Sequence, residues 1–349
     1  MFKSVNTAVL SFELGDEIGH EGRNSKVYIA TDIQLNAEIV VKKIPKADFS
    51  DVDEYFLETS LLYLSSHPNV VPVHYGCQDD EHIYVSMPHY ANGSLKTRMA
   101  SGPLSVREII VYSTQISSGL HNIHSKGLIH FDVKPDNILL SDRGEALVAD
   151  FGLAKQTSYA GIAGQDRMYG KMVPPEAFQT DDFNSQFDIY QLGLTMHRMC
   201  VGDGVFYAEY SGFVKIDGTL DRDRFRHAVV NGQFPVTTEY PEHIPQKVID
   251  TIRKCLHSNL NDRFTSPIKI VNELAEIEGN LLDWKLEVIA GRKIWTKILD
   301  DGRQFQIEVR GDNSSHATRT SAQGNQQRIT NYCKANIQRS EIKRFLRDH

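Results

Sequence analysis

The 349-residue sequence predicts an α+β fold in two unequal lobes, a small strand-rich one followed by a larger helical one, with a small β-plus-α appendage at its C-terminal end. Three observations predict it. The first 90 residues run in short stretches rich in Val, Ile and Tyr; beyond residue 104 the apolar period lengthens to that of a helix; past Gly279 it returns to two.

Residues 12–19, 26–32 and 37–44 read as strands separated by Gly- and Asn-containing turns. Residues 51–65 instead set Phe56, Leu57, Leu61 and Leu64 on one helical face, behind Asp51 as a cap. Short strands follow near 70–76 and 82–88. From Ser105 to Gly127 an amphipathic helix carries Ile109, Tyr112, Ile116 and Leu120 in one stripe, and 185–201 and 245–257 supply two more helices. In the appendage, 284–291, 292–299 and 303–309 alternate apolar and polar residues, with Asp300-Asp301-Gly302 as a hairpin turn. A polar stretch, 311–327, separates them from 329–346, where Ile329, Tyr332, Ile337, Ile342 and Phe345 fall at loosely helical spacing. The expected boundaries are a main domain over 12–278, with lobes 12–90 and 91–278, and a module over 279–349.

Composition narrows the class. With 40% hydrophobic and 24% charged residues the chain can bury a core and stay in solution. No apolar run approaches the roughly 18 residues a membrane helix needs, and the N-terminus lacks the layout of a secretory signal. Cys77, Cys200, Cys255 and Cys333 are scattered without a C-x-x-C pair. That argues against a zinc site or a disulfide framework and for a reducing compartment. A cytoplasmic protein without membrane attachment is expected. The net charge of −7 hides an asymmetry: from Lys285 onward 13 Lys and Arg face 7 Asp and Glu, a balance of +6, so residues 1–284 carry −13.

Eight short segments bear on chemistry. His130-Phe131-Asp132-Val133-Lys134-Pro135-Asp136-Asn137 is followed, 13 residues after Asn137, by Asp150-Phe151-Gly152. Upstream lie Gly19-His20-Glu21-Gly22-Arg23-Asn24-Ser25-Lys26-Val27, then Ile39-Val40-Val41-Lys42, then the run Ile83–Leu95. Downstream, Pro174-Pro175-Glu176 is matched by Arg263 in Asn261-Asp262-Arg263-Phe264, and Asp188 opens Asp188-Ile189-Tyr190-Gln191-Leu192-Gly193. Any one of these alone is compatible with a plain turn or a surface lysine. In this order, from residue 12 to about 275, they resemble the eukaryotic-type (Hanks-type) serine/threonine protein kinases.

The resemblance implies a bilobal protein-kinase fold and transfer of the γ-phosphate of ATP to Ser/Thr hydroxyls of protein substrates, with autophosphorylation left open. Phosphoryl transfer is mainly a matter of holding phosphates and metals and aiming the acceptor. Asp132 would take the acceptor's proton and Lys134 would steady the γ-phosphate. Asn137 and Asp150 would hold Mg²⁺, or Mn²⁺ in its place. Lys42 would meet the α- and β-phosphates and pair with Glu58, which lies ten residues before Pro68. Leu62 and Phe151 would stack in an apolar column. Gly19, Gly22, Ser25 and Val27 would form the loop over the phosphates. Met87 would back the adenine pocket, and main-chain groups of Pro88, His89 and Tyr90 would bond the base. Arg263 would pair with Glu176, and Asp188 would brace the catalytic loop.

The sequence departs from the family pattern in three places. Phe131 replaces the arginine that usually binds a phosphate on the activation segment, which implies activity without obligatory phosphorylation there. The glycine loop is one residue longer than the pattern, with Ser25 for its third glycine. Tyr169 stands where a threonine is usual; Thr157, Ser158, Tyr159 and Tyr169 are the segment's acceptors. Two alternative readings are a nucleotide- or partner-binding pseudokinase and a kinase-fold small-molecule phosphotransferase. The basic module, with Arg339, Lys343, Arg344 and Arg347 clustered, reads either as a nucleic-acid footprint or, with about three times the weight, as a packing or regulatory unit.

Overall fold

The computed structural model describes residues 10–18, 25–48, 66–165 and 170–349, in two units that join between Ala91 and Asn92. The helix expected over 51–65, with Glu58 and Leu62, lies outside the described residues, as do Gly19, Gly22 and Tyr169.

In the first unit the predicted alternation yields one five-stranded antiparallel sheet, order β1-β2-β3-β5-β4. Its strands are β1 (Phe12–Ile18), β2 (Lys26–Asp32), β3 (Ala37–Pro45), β4 (Tyr75–Gln78) and β5 (His82–Met87). Period two sorts β3 onto two faces. Ile39 and Val41 join Ala30 in a buried cluster against Phe12, Tyr75 and Tyr84, and Lys43 follows them, 5.9 Å over the Tyr84 ring. The opposite face carries Val40 and Lys42. The fourth strand starts later than expected because Pro72 has no N–H to give a ladder.

The second unit is built around α3 (Gln186–Val201), whose residues from Gln186 to Cys200 are all buried. Such a helix is packed on every side. Gly193 permits this: a Cβ there would lie 2.7 Å from that of Cys255 on α6 (Gln246–Cys255). Around it stand α1 (Leu95–Ala100), α2 (Val106–Ser125), α4 (Asp203–Ser211), α5 (Arg222–Val230) and α7 (Pro267–Ala275). A reciprocal capping box between Ser105 and Glu108 starts α2. Short antiparallel pairs complete the unit: β6 (Leu128–Ile129) with β9 (Lys155–Gln156), β7 (Ile138–Leu140) with β8 (Ala146–Val148), and β10 (Ala163–Gly164) with β11 (Asp182–Phe183). Among the described residues no helix is long and apolar enough to cross a membrane.

The appendage falls in this same unit. It is a five-stranded antiparallel meander of β12 (Lys285–Ile289), β13 (Arg292–Ile298), β14 (Gln304–Val309), β15 (Ser315–Thr320) and β16 (Gln326–Arg328), closed by α8 (Arg339–Asp348). Trp284, Trp295, Ile307, Ala317, Phe345 and Leu346 form its core. Asp300–Gly302 makes the expected hairpin turn, with Gly302 at φ +82° and its N–H donating to the Leu299 carbonyl at 2.9 Å. Two features differ from expectation. The polar stretch 311–327 supplies β15 and β16, since only Ala317 of β15 enters the apolar core and the other side chains are polar. The helix starts only at Arg339, where Gln338 and Glu341 form a capping box; Ile329 and Tyr332 pack from the preceding turn.

Two buried histidines set an acid limit on this unit. His197 on α3 meets the Tyr240 hydroxyl through Nδ1 at 2.9 Å. Burial, helped by the neighbouring Arg198, lowers its pKa to about 4, and burial alone lowers His243 to about 4. Both are neutral when folded and protonate readily when unfolded, near pH 6.5. Their contribution is therefore complete above pH 6.5 and is lost as pH falls towards 4, by up to about 3 kcal/mol each. Urea midpoints measured from pH 7 to 4 should fall through this window. The fall should be shallower in the His197→Gln/His243→Gln double variant.

Candidate active site

A buried turn between β6 and β7 carries the motif residues His130 to Asn137, and α3 holds it. The Asp188 carboxylate, fully buried, accepts the backbone N–H of His130 at 2.8 Å and of Phe131 at 2.8 Å. Its Oδ2 also lies 2.7 Å from His124 Nε2. One turn along α3, Gln191 accepts the Val133 N–H at 2.8 Å and donates to the Phe131 carbonyl at 3.0 Å. These bonds hold Phe131 at φ +64°, a left-handed conformation that costs a non-glycine residue about 1–3 kcal/mol. The Phe131 ring packs edge-on against Phe187 and Phe183, at centroid distances of 4.9 and 5.9 Å.

Beyond this turn the side chains converge. Asp132 Oδ2 accepts from Lys134 Nζ at 2.9 Å and from Asn137 Nδ2 at 2.7 Å, and Asn137 Nδ2 also donates to the Asp132 carbonyl at 2.9 Å. Both bonds use the amide nitrogen of Asn137, which leaves its oxygen for a cation. Asp132 Oδ1 is buried and has no hydrogen-bond partner among the described residues. A buried acceptor in that state is costly unless a ligand completes it. The carboxylate is thus split into a held oxygen and a vacant one.

Ladder pairing brings Asp150 beside this group. Ile138 pairs with Val148, and the Ala149 N–H donates to the Asn137 carbonyl at 2.9 Å; Asp150 follows directly, at φ +57°. His130 links the two stretches: Nδ1 accepts the Asp132 N–H at 3.2 Å and Nε2 donates to the Ala149 carbonyl at 3.0 Å. Its ring lies 4.8 Å from that of Phe151. An amide oxygen and a carboxylate are hard oxygen donors, the set a small divalent cation such as Mg²⁺ takes with water and phosphate oxygens. The residues present fit that metal.

Arg263 and Glu176 meet as expected, in a two-pronged ion pair of 2.8 and 2.9 Å. The guanidinium is buried, also donating to the carbonyls of Gln186 at 2.9 Å and His257 at 3.1 Å. In the first unit, register places Lys42 opposite Val27 on β2 and Val85 on β5, with Val40 opposite Met87. Directly opposed residues share a face, so Val27, Lys42 and Met87 lie on one side of the sheet. Ser25 precedes β2, and Pro88, His89 and Tyr90 follow β5 as a half-buried linker without strand pairing. The His89 ring lies 2.6 Å from Glu38.

Sequence reasoning missed Gln191, which ties the loop to α3, and Gln165, whose amide donates to the Leu153 carbonyl at 2.7 Å. A signal for Gln191 existed: it lies three residues after Asp188 on a helix apolar enough to be buried all round, where an amide needs partners.

The fold and this constellation are of the protein-kinase type. The protein kinase domain family matches residues 12–275, and the chain belongs to it, a family that uses ATP and a divalent metal. Among similar proteins, a probable serine/threonine-protein kinase of Clostridium acetobutylicum is 26% identical over 86% of this chain and 44% of its own length. The probable serine/threonine-protein kinase PknB of Lactococcus lactis is 25% identical over 74% of this chain and 40% of its own. Serine/threonine-protein kinase PrkC of Bacillus subtilis is 27% identical over 67% and 35%. This chain thus spans less than half the length of each of these relatives.

Removing one partner of the Glu176–Arg263 pair leaves a partly buried carboxylate without its cation, a loss of up to about 3 kcal/mol. Arg263→Leu should therefore lower the thermal midpoint by many degrees, read by scanning calorimetry.

Proposed function

We propose that this chain is an ATP- and Mg²⁺-dependent protein kinase that phosphorylates serine or threonine. The observation that carries the reading is the divided Asp132 carboxylate: Lys134 and Asn137 hold one oxygen while the other is buried and vacant. An acceptor hydroxyl bonded to Oδ1 would be oriented and would pass its proton there as its oxygen bonds to the γ-phosphorus of ATP, while the bond from that phosphorus to the β–γ bridging oxygen breaks and ADP leaves. Lys134 sits on the same carboxylate, so its ammonium is placed to offset charge on the transferring phosphoryl group. Lys134 is also the feature that favours a serine or threonine acceptor. Asn137 and Asp150 are assigned to Mg²⁺, which when bound supplies charge neutralisation for the phosphates. Lys42 is assigned to the α- and β-phosphates with Glu58 as its partner. Gly19, Gly22, Ser25 and Val27 are assigned to the phosphate loop, and Met87 to Tyr90 to adenine.

The test is transfer of labelled phosphate from ATP to casein in Mg²⁺. Transfer should be clear for the wild type and fall at least about a thousandfold in Asp132→Ala and Asp150→Ala, the scale expected when positioning and charge stabilisation are lost. Nucleotide binding without transfer would sink the reading in favour of a pseudokinase.

The aromatic cluster around Phe131 supports activity without an obligatory phosphate on the activation segment. Ala163 of that segment is buried in the cluster with Ile129, Phe183 and Phe187, so apolar packing holds what an arginine–phosphate pair would hold elsewhere. Mass spectrometry beside the assay decides this. Fully dephosphorylated enzyme should retain its activity, and activity regained only on a single activation-segment phosphate would refute it.

A further inference from the structure

Just before Pro174, the stretch Gly170–Val173 is fixed by side chains of opposite character. Met172 is fully buried; its sulfur lies 4.0 Å from Arg198 Nη1 and its carbonyl 3.4 Å from Gln191 Nε2. Lys171 is half-buried, and its ammonium lies over two rings of α4, 4.8 Å from the Tyr207 centroid and 5.0 Å from that of Tyr210. Residues three apart share a helix face, so one ammonium meets two negative ring faces, both within the roughly 6 Å at which the attraction operates. A half-exposed lysine gains no solubility from this arrangement and loses much of its rotamer freedom.

The helix that holds Lys171 also reaches the catalytic loop. Arg198 donates to Asp203, at the start of α4, at 2.7 and 2.9 Å. Its guanidinium stacks 5.2 Å from the Phe206 ring and 5.4 Å from the Tyr207 ring. Nη2 lies 3.9 Å from Oδ2 of Asp136, the residue before Asn137, and Lys96 Nζ meets the other oxygen of Asp136 at 2.6 Å. Tyr207 therefore stands between two cations, one from the activation segment and one tied to the catalytic loop.

We infer that Lys171, clamped by Tyr207 and Tyr210, is a positioning residue that sets the end of the activation segment against the catalytic loop. Resting on the kinase reading, the inference adds a particular device: an internal ammonium on aromatic rings fixes the acceptor side of the site. ATP binding does not depend on it. The clamp needs a cation at 171 and aromatic faces at 207 and 210, but not the tyrosine hydroxyls.

Five variants in the full chain test it, with casein phosphorylation at saturating ATP, the KM for ATP, and the thermal midpoint read on each. Lys171→Met should lower kcat for casein about tenfold, with the KM for ATP and the midpoint unchanged. Lys171→Arg, which can stack in the same clamp, should recover to within about twofold of wild type, as should Tyr207→Phe/Tyr210→Phe. Tyr207→Leu/Tyr210→Leu should lose at least as much as Lys171→Met, since it also removes the ring that faces Arg198, and adding Lys171→Met to it should bring no further loss, since the clamp is already broken. Full casein turnover in Lys171→Met would overturn the inference, as would losses that multiply in the combined variant or a loss that Lys171→Arg does not recover. Failure of the wild type itself to transfer phosphate is a different result and defeats the kinase reading instead.

Discussion

The geometry of the site depends on one buried carboxylate. Asp188 is taken wholly out of water, a transfer that is strongly unfavourable unless the charge is met by donors. Here they are the backbone N–H groups of His130 and Phe131 and the His124 ring. The consequence runs both ways. The carboxylate is tolerable only if the turn presents consecutive N–H groups to it, and the turn can do so only with Phe131 in the left-handed region. Gln191 then fixes the next peptide unit. Asp132 inherits its orientation from a backbone already specified on either side.

This arrangement makes α3 the reference frame of the second unit. A helix buried on every face cannot shift without disturbing everything packed on it, since interiors are close to crystal density. Gly193 lets α6 approach, Gln186 bonds the carbonyls of Leu260 and Phe264 at 2.8 and 3.0 Å, and Arg198 joins α4 to the loop. The Arg263–Glu176 pair adds a second buried anchor, where the guanidinium also caps the Gln186 carbonyl. Rigid supports of this kind give a catalytic group its preorganisation.

Much of this was legible in the sequence because it is local. Strand alternation in β1 to β3, the stripe on α2 and the hairpin turn at Asp300–Gly302 follow from period and turn chemistry within a few residues. The motif residues Asp132, Lys134, Asn137 and Asp150 follow from the resemblance to protein-kinase motifs, and the β7–β8 ladder brings Asn137 and Asp150 side by side. What was illegible is non-local. Nothing near Gln191 or Gln165 marks a partner many residues away, and the Lys171 clamp requires knowing that α4 folds back beside the segment. In the appendage, β15 and β16 were hidden because their side chains are largely polar, so hydrophobic periodicity has little to register.

The charge of the appendage shows why a sum over sequence differs from a field in space. Its +6 balance is a sum, and several of its basic residues are engaged where they stand. Lys285 reaches Glu108 at 3.3 Å, Arg292 and Arg310 share Glu308, Arg303 meets Asp301, and Lys334 meets Glu341. Lys297 is buried, donating to the carbonyls of Asn280 and His349 at 2.9 and 3.0 Å, and burial pulls its pKa down. Arg339, first in the basic cluster, donates to the Tyr240 carbonyl at 2.7 Å and to the nearly buried Glu242 at 3.0 Å. Exposed pairs of this sort are worth little each, about 0–1 kcal/mol, whereas a charge-assisted bond to a shielded carboxylate is stronger. Binding a polyanion requires cations free to neutralise phosphates. Cations committed to Glu108, Glu242 and Glu308 hold the module on the helical lobe and on itself.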